Sequence, residues 1–159
     1  MFQRAGCGWE IMRLKNHVRL EFFSRPENVS LARTCAAACA AQVDCTLDEM
    51  EEIKLVVSEA VSNCIIHGYD NRADEKIVME LNLYENENLE IIIYDYGRGI
   101  DDIDQALQPA YSSVPGHMGM GFVFMKSFMD YMNVESSPGD GTTVKLTRNL
   151  GQRSNQALA

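Results

Sequence analysis

The stretch Thr46 to His67 constrains this chain most, because it reads as a helix with a polar row between apolar flanks. Thr46-Leu-Asp-Glu49 is a capping box, a threonine N-cap with a glutamate three residues on. Gly68 follows as a stop signal. At about 100° per residue, with Glu59 at the zero of a helical wheel, Asn63 falls near roughly 40°. Val56, Ala60 and Ile53 fall at roughly 60°, 100° and 120°, and Ile66 and Leu55 at roughly 340° and 320°. An ordinary surface helix has one apolar stripe and a broad polar back. A carboxylate and an amide one turn apart, flanked on both sides, suggest polar groups lining a cleft. An isolated E-x-x-x-N is equally compatible with two solvated side chains.

The rest of the chain supplies elements around that helix. His17 to Ser24 alternates and reads as a strand. Val29 to Val43 is rich in alanine and reads as a helix, with Leu31, Cys35, Ala38, Cys39 and Gln42 at helical spacing. Lys76 to Tyr84 and Leu89 to Tyr94 form a hairpin around a four-residue loop, Glu85 to Asn88. Ile91-Ile-Ile-Tyr94 is apolar at consecutive positions and predicts burial on both faces. A short helix from Asp101 to Leu107, a loop from Gln108 to Met118 and a helix from Phe122 to Met129 come next. Strands at Tyr131 to Ser136 and Thr142 to Thr147 close the chain around the turn Ser137-Pro-Gly-Asp-Gly141. This order implies an α+β two-layer sandwich, one mixed sheet covered by helices on one face. The expected organisation is an extension of unknown role over 1–15, one domain over 16–150 and a polar tail over 151–159.

Charge and cysteine usage exclude some classes. The net charge is -9 and no basic run occurs, which argues against a nucleic-acid surface. No apolar stretch reaches the length of a membrane span. The cysteines at 7, 35, 39, 45 and 64 are odd in number and contain no C-x-x-C, so they read as reduced thiols in a cytoplasmic protein. The three histidines, 17, 67 and 117, lack the paired spacing of a zinc site.

Two glycine motifs follow the hairpin. Asp95-Tyr-Gly97-Arg-Gly99 places a carboxylate at a strand end, where it can accept a hydrogen bond from an exocyclic amine. Its glycines let a flat ring or a backbone approach closely. Gly119-Met-Gly121 opens a helix, whose free N–H groups and positive end suit phosphate. Each motif alone is also an ordinary turn. The phosphate loop G-x-x-x-x-G-K-S/T is absent, as is G-x-G-x-x-G in a strand-to-helix context.

Taken together, E-x-x-x-N on a helix, D-x-G-x-G, a loop ending in G-x-G-F, and Gly141-Thr-Thr resemble the GHKL nucleotide-binding superfamily. Within it the chain is similar to the anti-sigma F family of serine kinases, siblings of the anti-sigma B kinases. That resemblance spans Asn16 to Leu150. It includes Glu52 to Tyr69, Gly119 to Phe122, Phe128-Met-Asp130 and Ser136 to Thr143.

The resemblance implies the Bergerat ATP-binding fold and the following roles. Asn63 gives its side-chain oxygen to Mg²⁺, which takes few protein oxygens and bridges phosphates. Glu59 is the base, or orienter, for an incoming seryl hydroxyl. Asp95 reads the adenine amine, Gly97 and Gly99 make room for the ring, Gly119 and Gly121 hold phosphates, and Thr142 completes the adenine pocket. His67 could reach the cleft rim, although a structural role is preferred for it. The implied reaction moves the γ-phosphoryl of ATP to a serine of an anti-anti-sigma protein. The implied partners are a sigma factor of the sigma F type and a second copy of the chain. Arg33 matches a basic position used against sigma, and its spacing also fits a solvated helix face.

Two departures from the family pattern stand out. The loop from Pro109 to Gly119 is shorter, and it lacks the family's Lys or Arg, leaving His117 as its one candidate cation. A cation near the γ-phosphate stabilises transition-state charge. A nucleotide-dependent protein that sequesters sigma with little kinase activity is therefore the alternative to the kinase, and the general-stress anti-sigma B kinase is its sibling reading. A sensor histidine kinase fragment is disfavoured, since no helical phosphoacceptor segment precedes the domain.

Overall fold

The structure, a computed structural model, describes residues 2–5, 8–109 and 120–151, with the backbone alone for 2–5 and 8–11. The chain runs β1 (Phe2–Ala5), β2 (Gly8–Ile11), β3 (Leu14–Phe23), α1 (Glu27–Ala40), α2 (Leu47–Asn63) and a π-helical turn (Cys64–Gly68). It continues through β4 (Lys76–Tyr84), β5 (Asn88–Asp95), α3 (Ile103–Ala106), α4 (Gly121–Phe128), β6 (Tyr131–Ser137) and β7 (Gly141–Asn149). β1 and β2 pair with each other where the sequence shows no alternation, because main-chain pairing needs no side-chain pattern.

The other five strands form one sheet in the order β3-β4-β5-β7-β6. The two-layer sandwich is as expected, but each neighbouring pair is antiparallel, where a mixed sheet was expected. The helical crossover does return β6 parallel to β5. β7 then folds back as a hairpin and inserts between them, so the two parallel strands never meet.

Alternation sets the two faces of the sheet. Ile77, Met79, Leu81, Leu83, Leu89, Ile91 and Ile93 are fully buried in the core that the helices cover. Ile92 and Tyr94 are only half-buried, which corrects the expectation of burial on both faces. Their side is the outer face, where Arg19 pairs with Glu80 and lies over the Tyr94 ring.

α1 and α2 pack against each other over the sheet. Ala32, Ala36, Ala37 and Ala40 are the buried residues of α1 along with Cys39, and Leu31 faces out. Small side chains let the helix axes approach, so the alanines rather than the leucine mark its inner face. On α2, Ile53, Val56, Val57 and Val61 are fully buried, each worth about 1.5–3 kcal/mol.

The capping box of α2 forms as read. Thr46 accepts from the Glu49 N–H at 3.2 Å, and Glu49 accepts from the Thr46 N–H at 2.9 Å. Glu49 also lies 3.7 Å from Arg148 of β7, whose other guanidinium nitrogen pairs with Glu52 at 2.5 Å. The Arg148 side chain is 3% exposed, so this ion cluster fixes the start of α2 to the sheet within the core. Removing the cation would strand a buried carboxylate. Arg148→Ala is expected to cost about 3–5 kcal/mol of stability, the usual effect of breaking a buried pair. Urea unfolding measures this. A cost under about 1 kcal/mol would show that solvent reaches the two glutamates.

Candidate functional site

α2, the π-helical turn, the end of β5, α3, the start of α4 and the start of β7 enclose a cavity of about 700 Å³. Glu59, Asn63, Asp95, Gly99, Gly121 and Thr142 all line it, so most of the residues singled out in the sequence meet in one place. Gly119 and His117 lie outside the described residues, as does the loop after Pro109. Arg33 is exposed on α1 and does not line the cavity.

The polar row on α2 faces α4. A Cβ placed on Gly121 would lie 3.1 Å from Glu59 Oε2 and 3.3 Å from Asn63 Nδ2. The bare backbone at the start of α4 therefore touches both polar side chains. Met120 caps this helix without a side-chain hydrogen bond. One flank of the row, Ile53, Val56 and Ala60, is buried as the wheel requires. On the other flank Leu55 is exposed and Ile66 half-buried. The wheel loses phase after Asn63, because the helix widens into a π turn in which the Tyr69 N–H bonds to Cys64 O at 3.0 Å. π turns inside helices occur frequently at functional sites. Here the turn carries Cys64, His67 and Gly68 onto the cavity wall. For His67 a structural role was preferred, and the structure places it among the lining residues.

Asp95 marks the other end of the cavity. It is buried, and Oδ1 accepts from the Gly97 N–H at 2.9 Å. Burial raises its carboxyl above the ordinary value, opposed by hydrogen bonds from the Gly97 N–H, Cys64 S–H and Thr142 N–H. The Cys64 thiol is itself pushed well up by burial and by the Asp95 charge.

Gly97 and Gly99 sit where backbones approach closely. A Cβ on Gly97 would lie 2.2 Å from Gly68 O, and one on Gly99, whose φ is +75°, would lie 2.0 Å from Ser137 O. These glycines let backbones touch, and Gly97 does not line the cavity. Thr142 is held from the far side. Its hydroxyl lies 2.9 Å from Ser136 Oγ, which accepts from the Ile100 N–H at 2.8 Å and donates to Gly141 O. Buried Tyr69 joins these loops, donating to Lys76 O and accepting from the Tyr96 N–H at 2.7 Å. Burial pushes its hydroxyl up to about 12.

Sequence reading missed Gly68, Arg98, Asp101 and Asp102 as lining residues. Gly68 carried a signal only as a helix stop. Arg98 occupied an open position between the two glycines.

Comparison with known proteins agrees with this geometry. The model of the histidine kinase-like ATPase domain family matches residues 22–148. The chain is 44% identical over 139 residues to the anti-sigma F factor of Priestia megaterium, covering 86% of this chain and 95% of that protein. It is 43% identical over 141 residues to the anti-sigma F factor of Bacillus subtilis strain 168, covering 87% and 96%. Among solved structures, it superposes on the RsbU and RsbW domains of a Mycobacterium tuberculosis protein with TM-score 0.62 at 18% identity, over 86% of this chain and 33% of that one. It superposes on a blue-light activated histidine kinase of Erythrobacter litoralis EL346 with TM-score 0.54 at 25% identity, over 71% and 34%. The chain thus spans about a third of each of these two structures.

The buried Asp95 carboxyl has a consequence for stability. A carboxyl whose folded pKa is raised contributes stability that is present below its unfolded pKa. That contribution is lost as pH rises through the folded value. At pH 7 the ionised group therefore weighs against folding. Asp95→Asn keeps an oxygen to accept from Gly97. It is expected to melt at or above the wild-type temperature at pH 7 without ligand, the gap narrowing toward acid pH. Calorimetric melting at several pH values checks this. A lower melting point at pH 7 would mean that the ion's hydrogen bonds outweigh its burial.

Proposed function

The chain belongs to the histidine kinase-like ATPase domain family, in its anti-sigma F branch, and from that premise we propose that it is an anti-sigma factor and protein serine kinase. It binds ATP with Mg²⁺, moves the γ-phosphoryl group to a serine of an anti-anti-sigma protein, and silences a sporulation sigma factor of the sigma F type. It acts in the cytoplasm as a homodimer, with Arg33 on its sigma-binding surface. The observation that carries the reading is the cavity itself, with buried Asp95 at one end and Glu59, Asn63 and Gly121 in contact at the other.

Each residue has a task in that reading. Asp95 accepts from the adenine amine, and Thr142, fixed by Ser136, completes the pocket around the base. The backbone N–H groups at the start of α4 face the phosphates. Glu59 takes the seryl proton as the seryl oxygen bonds to the γ-phosphorus, and the bond to the β–γ bridging oxygen breaks, its electron pair leaving with ADP.

The residues present fit Mg²⁺. Asn63 and Glu59 offer hard oxygen atoms, and no group of three or more metal-binding side chains occurs among the described residues. Mg²⁺ commonly uses one or two protein oxygens and takes the rest from phosphate and water. Asn63 would hold it, and when bound it neutralises phosphate charge. The phosphoserine product carries about two added negative charges, which this acidic protein repels.

A second reading, sequestration of sigma with little kinase activity, is favoured by residues 110–119, which contain no Lys or Arg. One pair of substitutions separates the two. Glu59→Ala is expected to abolish phosphoryl transfer while Mg-ATP and sigma binding survive. Asn63→Ala is expected to weaken Mg-ATP binding as well as transfer. Labelled phosphate transfer to the cognate anti-anti-sigma protein, run beside nucleotide titrations, gives both readouts. Wild-type transfer by Glu59→Ala removes Glu59 as the base. No transfer by the wild type to a verified partner replaces the kinase with the sequestering protein.

A further inference from the structure

We propose that Arg98 is a base-binding residue of the nucleotide site, its guanidinium stacking on the open face of the base. The inference rests on the adenine-nucleotide reading above and adds to it a residue and a role.

Arg98 is the one Lys or Arg among the described lining residues. Its backbone is pinned on both sides. The Arg98 N–H donates to Gly68 O at 3.0 Å, and its carbonyl accepts from the Gly139 N–H at 2.7 Å. The residue before it, Gly97, lies against Gly68, and Gly68 lies against the Asp95 carboxylate. The stem of the side chain is thus fixed at the Asp95 end of the cavity.

Distance decides which part of a nucleotide Arg98 can meet. Glu59 to Gly68 is nine residues of helix, roughly 13 Å at about 1.5 Å per residue. An arginine side chain covers roughly half that length. From Gly68 it therefore reaches the base and stops short of the Glu59–Asn63–Gly121 end, where the phosphates would lie. A planar, weakly hydrated guanidinium suits the face of a purine, whereas a lysine ammonium does not stack.

The present partner of Arg98 is easily exchanged. Its guanidinium lies 3.8 Å from Asp70 Oδ1, with the two side chains 52% and 69% exposed. Such a surface pair contributes little. Binding of a base would swap it for a stack that is partly shielded from water.

The test titrates wild type, Arg98→Ala and Arg98→Lys with ADP, adenosine and inorganic tripolyphosphate, all in the presence of Mg²⁺, by calorimetry or by chemical-shift perturbation for weak ligands. Arg98→Ala is expected to weaken ADP and adenosine by the same factor, roughly threefold to thirtyfold, the range for cation–π contacts. Tripolyphosphate binding should not change, and Arg98→Lys should recover only part of the loss. An unchanged affinity for adenosine, a loss confined to phosphate-bearing ligands, or full rescue by lysine overturns the proposal for Arg98 alone. A wild type that binds none of the three overturns the nucleotide site with it. Arg98 is exposed at its tip, so both variants should melt with the wild type.

Discussion

The contact between Gly97 and Gly68 is the one on which the site depends. It joins the end of β5 to the end of the α2 segment at a distance that no side chain permits. The Arg98 N–H reinforces it with a hydrogen bond to Gly68 O. Gly141 makes a comparable approach from β7, since a Cβ there would lie 2.0 Å from Asp95 O. Three loops thus meet backbone to backbone around a single aspartate. Asp95 is buried because its neighbours are glycines, and on the proposed reading it stands where a nucleotide base needs an acceptor. The cost of that burial falls on folding, and on the proposed reading the benefit falls on binding.

α2 is fixed at both ends so that its polar row stays in register with α4. At its start the capping box and the Arg148 ion cluster bind it to β7. At its end the π turn and Tyr69 bind it to β4 and to the loop after β5. A helix free at either end could rotate Glu59 and Asn63 away from Gly121. The π turn has a second effect. By adding one residue to the last hydrogen-bonded ring, it shifts His67 and Gly68 away from their α-helical angles and onto the cavity wall.

Local chemistry made much of this legible in the sequence. The capping box, the hairpin around Glu85 to Asn88 and the polar row each rest on residues near in sequence, and each stands in the structure. Contacts between distant segments were not legible. The position of β7 between β5 and β6 depends on how the sheet closes, and strand patterns do not record it. On α1 the helical spacing that starts at Leu31 does not by itself mark the buried face, which Ala32, Ala36, Ala37, Cys39 and Ala40 form. Gly97 signalled a close approach, but a glycine permits one without naming what approaches. Nothing near Arg148 in sequence marks it as buried, and the fold alone packs it against Glu49 and Glu52.

Charge sets a final constraint on what the cavity can do. Its described wall carries four carboxylates, Glu59, Asp95, Asp101 and Asp102, against the guanidinium of Arg98 and the imidazole of His67. Two like charges about 4 Å apart repel by roughly 4 kcal/mol at an effective dielectric constant near 20. A helix N-terminus returns about 0.3–1 kcal/mol, or about 2 when partly buried. The start of α4 cannot therefore offset even one close carboxylate, and Arg98 is held too far from that end to help. On the proposed reading the phosphates need a divalent cation at Asn63 to enter at all. The same negative wall then opposes retention of a phosphorylated product once transfer has occurred. An acidic cavity is a poor trap for a bare nucleotide, but it suits an enzyme that must take Mg-ATP and release a charged protein.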